Sequence, residues 1–486
     1  MVNQGMDRFK NYEPDQGMWI EYRPDVLFPE GSFEHFLVST IKRIDVSDFW
    51  KEEDRGGESP FDPRGMLGII FYAISMGVFS SRKIEAGCRD HMGFMYVSGH
   101  MNPDHATICR FVVEHFEGLK HVFGMLLYLA QEQGYLEYQE IAIDGTKIKA
   151  NASKRFSGTI EDFEKRRNKY ENKIAQALEK LQKANDDEER KYWEEKKRRY
   201  EENREKLDDF LKGATKKLNS QGKERVQNIT DPESRMMKLG KEYKQGYNAQ
   251  LAVSGNGLIV AADVVNDEND LGMLPHMVEE LNKSQPGNAS EGGEKYLLDN
   301  GYMSRAALEY VKEKDIDAYM PLGADKNAYQ SKTAGKISVE ECTLSETERV
   351  IVLTCPGGRS FEKEKEENRE VYTFMAGVAS NCGGCTHFER CRGYLKGLDK
   401  KFEVTAEYLK IAGFIEAHRH KMQTEKARRI YSRRMDIIEK VFGQMKEDWG
   451  YKRMLRRGLD RTKCEWLMMA IAYNVKKLFR IHMVET

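Results

Sequence analysis

The hydrophobic and polar positions divide the chain into helical and strand-like parts. The first 140 residues are mostly helical in pattern, and the apolar stretch from Met66 to Phe79 predicts a buried helix. That stretch is too short to cross a bilayer, which needs about 20 apolar residues. Two shorter helical patterns follow, from Ser81 to Asp90 and from Pro103 to Phe116, with Asn102 as the N-cap of the second. They fit either a DNA-binding helix-turn-helix or a pair of core helices.

A long charged segment between Ile160 and Leu218 has a helical period. Its apolar residues recur at gaps of three, four and seven positions, which is typical of amphipathic helices. Asn185-Asp186-Asp187 interrupts the pattern near its middle. We therefore predict an antiparallel helical hairpin, which serves as a spacer or a dimerisation arm.

Strand-like runs surround this hairpin in sequence. They extend from Glu140 to Asp144, Tyr247 to Val253, Leu258 to Val265, Lys295 to Leu298 and Ala318 to Pro321. The second and third are joined by Ser-Gly-Asn-Gly, a strong hairpin signal. Helical patterns from Leu271 to Asn282 and from Arg305 to Glu313 separate the later strands. A three-stranded meander followed by alternating helices and strands predicts an α/β fold of the ribonuclease H-like kind.

Two predicted core strands end in an aspartate. Asp144 follows the apolar run at 141–143 and precedes Gly145, which is expected to end or bend the strand, so that Asp-Gly could also be a simple turn. Asp299 follows the fourth strand. Strands one and four are neighbours in this kind of sheet, about 4.8 Å apart, so the two carboxylates can hold a divalent metal between them. Glu439, on a later helix with an apolar face, is the candidate third carboxylate, although it could also be a solvated helix residue.

Composition changes this picture mainly through the distribution of charge. The 486 residues, enough for two to four domains of about 100 to 200 residues each, are 40% hydrophobic and 32% charged, and their formal net charge is −1. From His418 to Lys463, however, fifteen Lys/Arg stand against six Asp/Glu. Such a basic strip is expected of a contact with a phosphate backbone, although solvated helix faces also collect charge. Lys147 and Lys149 after the first aspartate are further candidates for this contact, or plain surface lysines.

Cysteines and the N-terminal segment bear on location and metal binding. The polar segment from Met1 to Tyr12 is not typical of a signal peptide, and the eight cysteines do not form a disulfide framework, so we expect a reducing cytoplasm. Four of the cysteines form a group that suits a tetrahedral structural zinc, with His387 as a spare ligand: Cys355, Cys382, Cys385 and Cys391. Buried cysteines without metal are the alternative. The other four are expected to be packing residues: Cys88, Cys109, Cys342 and Cys464.

Five sequence blocks, in order, resemble the DDE-type transposases of bacterial insertion sequences, and most of all the branch marked by a Tyr-Arg-Glu-Lys motif. The blocks are DGTKIKANAS at 144–153, TDPESRMMK at 230–238, GYNAQLAV at 246–253, LLDNGY at 297–302, and IEKVFGQMK with YKRMLRRG at 438–458. The resemblance extends over nearly the whole chain. It implies that Asp144, Asp299 and Glu439 bind two Mg²⁺ ions, for which Mn²⁺ can substitute, and that the protein cuts DNA.

The family motif also implies residues that grip DNA. Tyr431, Arg434, Glu439 and Lys446 match it, except that four residues instead of three separate Arg434 from Glu439. On a regular α-helix this turns Arg434 by about 100° out of phase. Arg433 is therefore a rival for the contact with the terminal phosphate. Beyond this helix, Arg456 and Arg457 are expected to follow flanking DNA.

The predicted function is cleavage of transposon-end DNA and transfer of the freed ends into target DNA, carried out by at least a homodimer because two ends must be joined, with no membrane involved. The intact acidic triad favours this enzyme over the alternative, a domesticated, non-catalytic DNA-binding protein. The predicted organisation is as follows: a helical DNA-binding domain at 1–135, a first part of the core at 136–154, the inserted hairpin at 155–225, the continued core at 226–325, a Cys-rich insertion at 326–400, and C-terminal core helices with the basic strip at 401–486.

Overall fold

The computed structural model describes residues 21–49, 60–218, 222–284, 293–321, 337, 339–366, 369–376, 382–388, 391 and 400–485. Helices precede, interrupt and follow the strands within these ranges. The α-helices are α1 Pro24–Leu27, α2 Phe33–Lys42, α3 Pro63–Ser75, α4 Ser81–Asp90, α5 Met92–Val97, α6 His105–Glu114, α7 Phe116–Glu132, α8 Ile160–Lys183, α9 Asp187–Gly213, α10 Met273–Ser284, α11 Arg305–Glu313, α12 Ala406–Gln423, α13 Glu425–Arg434, α14 Lys440–Gly443 and α15 Leu459–Glu485. π-helical turns at Met435–Glu439 and Gln444–Asp448 flank α14. The strands are β1 Glu140–Lys149, β2 Ser157–Gly158, β3 Gln227–Asn228, β4 Arg235–Leu239, β5 Glu242–Ser254, β6 Ile259–Val265, β7 Lys295–Leu298, β8 Asp317–Tyr319, β9 Thr343–Glu346, β10 Val350–Thr354, β11 Ser360–Glu364, β12 Val371–Ala376 and β13 Lys400–Thr405.

The main sheet has six strands. Its path is β4-β5-β1-β7-β8, and β6 pairs with β5 as well. β1 lies antiparallel to β5 and parallel to β7, and β7 lies parallel to β8. The predicted adjacency of the first and fourth strands is therefore confirmed, as is the hairpin between β5 and β6.

Several predicted boundaries were wrong. The first strand does not end at Asp144, because β1 continues through Gly145 to Lys149 and stays paired with β5 along its whole length. β5 begins at Glu242, five residues before the predicted start. Tertiary pairing overrides the local breaker signal of a single glycine here, since each added ladder position satisfies further backbone groups.

The helical predictions were right in kind and shifted in extent. The buried helix runs from Pro63 to Ser75, and α10 begins and ends two residues later than predicted. Asn102 is not an N-cap: α6 begins at His105, and the Asp104 side chain accepts a hydrogen bond from the Thr107 amide. The strand predicted around Ala318 to Pro321 ends at Tyr319.

One buried cluster joins the N-terminal helices to the sheet through the last helix. It runs from Leu37 in α2 through the strands to Leu478 in α15. α15 packs against α3 and α7 on one side and against β6 on the other. The Asn474 side chain accepts from the Ile259 amide at 2.8 Å and donates to the Ile259 carbonyl at 2.7 Å, which ties this helix to the edge of the sheet.

The charged hairpin has a small core of its own. α8 and α9 pack against each other, with Phe156, Phe163, Tyr170 and Leu207 buried between them. Thr159 and Asp162 form a reciprocal capping box at the start of α8. The predicted helical hairpin between β1 and β5 and its break before Asp187 are thus confirmed. Across the described residues, no helix has the length and apolar character needed to span a membrane.

Candidate active site

Asp144 and Asp299 lie side by side where the β1/β7 ladder ends. The last parallel pair in this ladder is Ile143 with Leu298, so each aspartate is the next residue on its own strand. Neighbouring strands are about 4.8 Å apart, which brings the two side chains together. Each carboxylate also accepts from the amide that follows it, at 2.9 Å for Gly145 and 2.7 Å for Asn300. The predicted carboxylate pair is therefore present, although Asp144 lies within β1 and not at its end.

Burial and crowding by other acids act on Asp144. Its side chain is only 18% exposed. Burial, together with the charges of Asp299 and Asp270, raises the pKa of Asp144 to about 6, although the Arg434 guanidinium opposes this shift. A carboxylate crowded by others favours a cation beside it, because the cation offsets both desolvation and repulsion.

Arg434 supplies such a cation. Its Nη2 lies 2.6 Å from Asp144 Oδ2, and its side chain is 9% exposed. The phase argument that counted against Arg434 assumed a regular α-helix, and the π-helical turn at Met435–Glu439 removes that assumption. A π-turn closes i to i+5 instead of i to i+4, so it absorbs one extra residue. Arg434, not Arg433, is the arginine at the carboxylates.

Two further predicted residues reach the same place. Lys446 Nζ donates to Thr146 Oγ1, two residues along β1 and on the same face as Asp144. Burial lowers the pKa of Lys446, and the nearby charge of Asp144 opposes that shift. Burial raises the pKa of the Tyr431 hydroxyl, with the charges of Asp299 and Asp144 contributing. The helix from Glu425 to Asp448 thus covers the Asp144 face of the sheet with two cations and a tyrosine.

Asp270 is a third acid that sequence reasoning missed. One of its oxygens accepts from Asn248 Nδ2 at 2.8 Å and from Gln250 Nε2 at 2.7 Å. Both amides are fully buried on β5, and the Tyr302 hydroxyl donates to Gln250 Oε1. Asp270 belongs to the loop after β6, and its only local signal is an acidic residue in the polar run NDEND before α10.

Gly145 makes room for this arrangement. A Cβ at Gly145 would collide with the side chains of Gln250, Asp270 and Asn248. The backbone conformation of Gly145 is ordinary for a strand, so its requirement is the close approach of these side chains and not a turn. The glycine in the Asp-Gly pair is explained by packing against Asp270.

Other predicted residues lie elsewhere. Glu439 is exposed, and no described contact joins it to Asp144 or Asp299. Arg433 pairs with Glu140, the first residue of β1. Lys147 and Lys149 lie an odd number of residues after Asp144 on β1. Because side chains alternate between the two faces of a strand, both lysines are on the face opposite to that of Asp144.

Arg456 and Arg457 differ in their surroundings. Arg456 Nη1 is 3.8 Å from Glu465 Oε2, and the Glu465 side chain is 4% exposed. Glu465 also accepts from the amides of Leu455 and Arg456, so it holds this loop from inside. Arg457 is exposed and donates from Nε to the Asn151 carbonyl at 2.9 Å. Of the two, only Arg457 presents its side chain to solvent.

Asp144 and Asp299 are the candidate ligands for Mg²⁺. Among the described residues, no group of three or more His, Cys, Asp or Glu side chains is arranged to hold a metal ion. Asp144 and Asp299 nevertheless offer paired carboxylate oxygens, which Mg²⁺ prefers, and burial followed by the neighbouring acids raises the pKa of Asp144. The chemistry of these two residues suits a divalent ion, but the pair alone does not complete a metal site.

Comparison with protein families found two models that each match part of the chain. Residues 354–479 match the model described as transposase DDE domain, and residues 25–114 match a second transposase domain. No curated protein and no solved structure matched the chain. The two matches support an insertion-sequence DDE transposase. The family predicted from the five sequence blocks is confirmed, whereas the Tyr-Arg-Glu-Lys branch stays a prediction.

Proposed function

We propose that this transposase cleaves the ends of its element in a metal-dependent reaction and joins the freed 3′ ends to target DNA. The observation that carries the proposal is the adjacency of Asp144 and Asp299, with the Arg434 guanidinium 2.6 Å from Asp144. A strand order of β6-β5-β1-β7-β8 supports assigning the core to the ribonuclease H-like fold. The hairpin α8–α9 and the Cys-rich segment are then insertions into that core.

Asp144 and Asp299 would hold two Mg²⁺ ions, or Mn²⁺ in their place, with Glu439 as the proposed third ligand. Glu439 is the last residue of the π-helical turn on the helix that carries Arg434 and Lys446. A side-chain rearrangement must bring it to the carboxylate pair when metal and DNA bind. Bound metal would activate the attacking oxygen and stabilise the leaving oxygen of the phosphodiester.

The protein's own cations have a separate task in this scheme. Arg434 and Lys446 lie on the Asp144 face, where the scissile phosphate would bind, and Tyr431 precedes Arg434 by three residues on the same helix. In the absence of DNA, Arg434 neutralises Asp144. On binding, the guanidinium would exchange this carboxylate for a phosphate oxygen, a ligand of similar geometry. The retained Arg434, Glu439 and Lys446 also support the Tyr-Arg-Glu-Lys branch.

Strand cleavage tests the proposal directly. The full chain is incubated with duplexes carrying the terminal repeats of its element, in Mg²⁺, and nicked and joined products are resolved on denaturing gels. We expect cleavage at the element ends, its loss with EDTA, and its loss in Asp144→Asn and Asp299→Asn with end binding kept. Asp267→Asn, an exposed acid of the neighbouring loop, is the matched control and should cut normally. Specific end binding without cleavage under any divalent metal would favour the non-catalytic DNA-binding protein.

Joining two ends implies at least a homodimer in the DNA complex. Light scattering of the protein with and without end duplex measures this. A complex containing one chain and one duplex that still joins ends would contradict it.

A further inference from the structure

Four cysteines come together far from Asp144 in sequence and take no part in the proposed reaction. Cys355 directly follows β10 and begins the turn into β11, in which its amide donates to the Arg359 carbonyl at 2.8 Å. The Gly358 amide donates back to the Cys355 carbonyl at 2.8 Å, and Gly358 has a φ of 75°. This tight turn folds the chain around the Cys355 thiol.

The other three cysteines lie on a second short segment. The Cys385 amide donates to the Cys382 carbonyl at 3.1 Å, which brings the two ends of the Cys-x2-Cys together in a single turn. The His387 amide donates to Cys385 Sγ at 3.4 Å, and the Cys391 amide donates to the His387 carbonyl at 2.8 Å. These backbone bonds keep the three cysteines together on one folded segment.

Gly357 marks the point where the two segments meet. A Cβ at this position would lie 2.5 Å from Cys385 Sγ and 3.7 Å from Cys355 Sγ. All four sulfur-bearing residues line one small cavity, together with His387 and Arg359. All four side chains have intermediate exposure. Thiols from two segments therefore line this cavity. Both segments consist of short strands and turns.

We infer that these four cysteines bind one structural Zn²⁺ as a tetrahedral four-thiolate site, with Arg359 offsetting part of its negative charge. The side chains are not yet at ligand positions in the described structure, so binding must draw the thiols inward by rotation about their Cα–Cβ bonds. Zinc prefers four sulfur or nitrogen ligands with sulfur at about 2.3 Å, which the converging turns permit. The ion would cross-link the β10–β11 turn to residues 382–391.

A metal cross-link would stabilise the segment that carries the cysteines. Its strands are short: the β9–β10–β11 sheet has at most five residues a strand, and β12 pairs with β13 alone. Units built from such short strands commonly gain stability from a metal or disulfide. The remaining cysteines do not compete, because Cys88, Cys342 and Cys464 are buried elsewhere, as predicted. Cys109 is exposed, so its prediction as a packing residue was wrong.

Metal analysis of the full chain tests the inference independently of transposition. We expect one zinc per chain in wild-type protein, none in the double variant Cys382→Ser with Cys385→Ser, and one in Cys109→Ser, the matched control outside the cluster. The melting temperature should fall in the double variant and on removing zinc with a chelator, and it should recover when zinc returns. Wild-type protein that binds no zinc and loses no stability with the chelator overturns the site.

Two further measurements separate the four-thiolate site from other outcomes, even if the serine variants do not fold. Wild-type protein loaded with Co²⁺ should show the intense thiolate-to-cobalt bands and ligand-field spectrum of a tetrahedral sulfur site. His387→Ala should keep its metal. Loss of metal in His387→Ala would overturn the four-thiolate assignment in favour of three cysteines and a histidine.

Discussion

Arg434 and Asp144, 290 positions apart in sequence, form an ion pair of 2.6 Å in which both side chains are largely buried. The pair connects the helix that follows α12 to the strand at the centre of the sheet. It also places a cation against a carboxyl whose pKa is raised to about 6 by burial. The candidate catalytic carboxylate is therefore held by the same side chain that is proposed to bind DNA.

Removing this arginine should destabilise the protein. Arg434→Ala leaves Asp144 buried beside Asp299 and Asp270 without its cation, and we expect a loss of about 3 kcal/mol in the free energy of unfolding. Arg433→Ala is the matched control: its side chain is 55% exposed, and we expect a loss of about 1 kcal/mol or less. Urea denaturation of the two variants measures the difference, and equal losses would show that the Arg434 pair contributes no more than a surface contact.

Substituting Glu439 and Asp270 in turn shows which of them is the third metal ligand. Glu439→Gln should reduce cleavage by more than about 100-fold, which exceeds the usual cost of losing an outer-shell partner, while stability changes little because the side chain is exposed. Glu447→Gln, an exposed glutamate of the same helix, should cut normally. Should Glu439→Gln cut at the wild-type rate while Asp270→Asn does not, the third ligand is Asp270.

A methyl group at Gly145 should disturb the Asp270 contacts. Gly145→Ala pushes a Cβ into Gln250, Asp270 and Asn248, so we expect lower stability, by about 1 to 3 kcal/mol, and slower cleavage. Gly124→Ala, on α7 with open space around it, is the control and should be neutral or stabilising. Thermal melts and the cleavage assay together check this, and a Gly145→Ala protein indistinguishable from wild type would mean that these side chains do not need their present positions.

Salt dependence separates residues that bind DNA from those that act at the reaction. Arg457→Ala with Arg453→Ala, both exposed, should weaken binding to all sequences and flatten the log-log salt slope by about one to two units, since each lost phosphate contact is worth about 0.9. Lys446→Ala, next to Thr146, should lower cleavage more than binding. If the salt slope of the double variant is unchanged, the loop that carries Arg453 and Arg457 does not contact DNA. Arg456 is unsuitable for this test because it partners the buried Glu465.

The His276–Asp263 pair should make stability depend on pH. Hydrogen bonding to Asp263 at 2.6 Å raises the pKa of His276. Burial would raise the pKa of Asp263, but the bonds from His276 and Lys463 outweigh it and hold that pKa below its ordinary value. The contribution of His276 is complete below its unfolded pKa of about 6.5 and is lost as the pH rises through its higher folded value. That of Asp263 is lost as the pH falls through its depressed value.

His276→Gln should therefore cost most, about 1 to 2 kcal/mol, between roughly pH 4 and 6.5, and less in alkaline solution. His420→Gln, whose side chain is 72% exposed, is the control. Denaturation curves at several pH values measure both. A cost for His276→Gln that does not change with pH would show that the pair is not ionic.

Periodicity and local motifs in the sequence determined most elements of this protein. The apolar spacing of α8 and α9, the Asn-Gly turn between β5 and β6, and the bounds of β7 and α11 all follow from interactions within a few residues. The five sequence blocks were also enough to predict the transposase family, because the motif residues stand in the right order along the chain.

Only the tertiary structure decided which residues meet at the carboxylates. Gly145 continues a strand because β5 pairs with it on the long ladder, and the ion pair of Arg434 with Asp144 joins segments 290 positions apart. Asp270 is recruited through amides of a neighbouring strand, with no periodic signal of its own. Strand pairing and helix phase depend on contacts between segments far apart in sequence, and such contacts leave no pattern within any one segment.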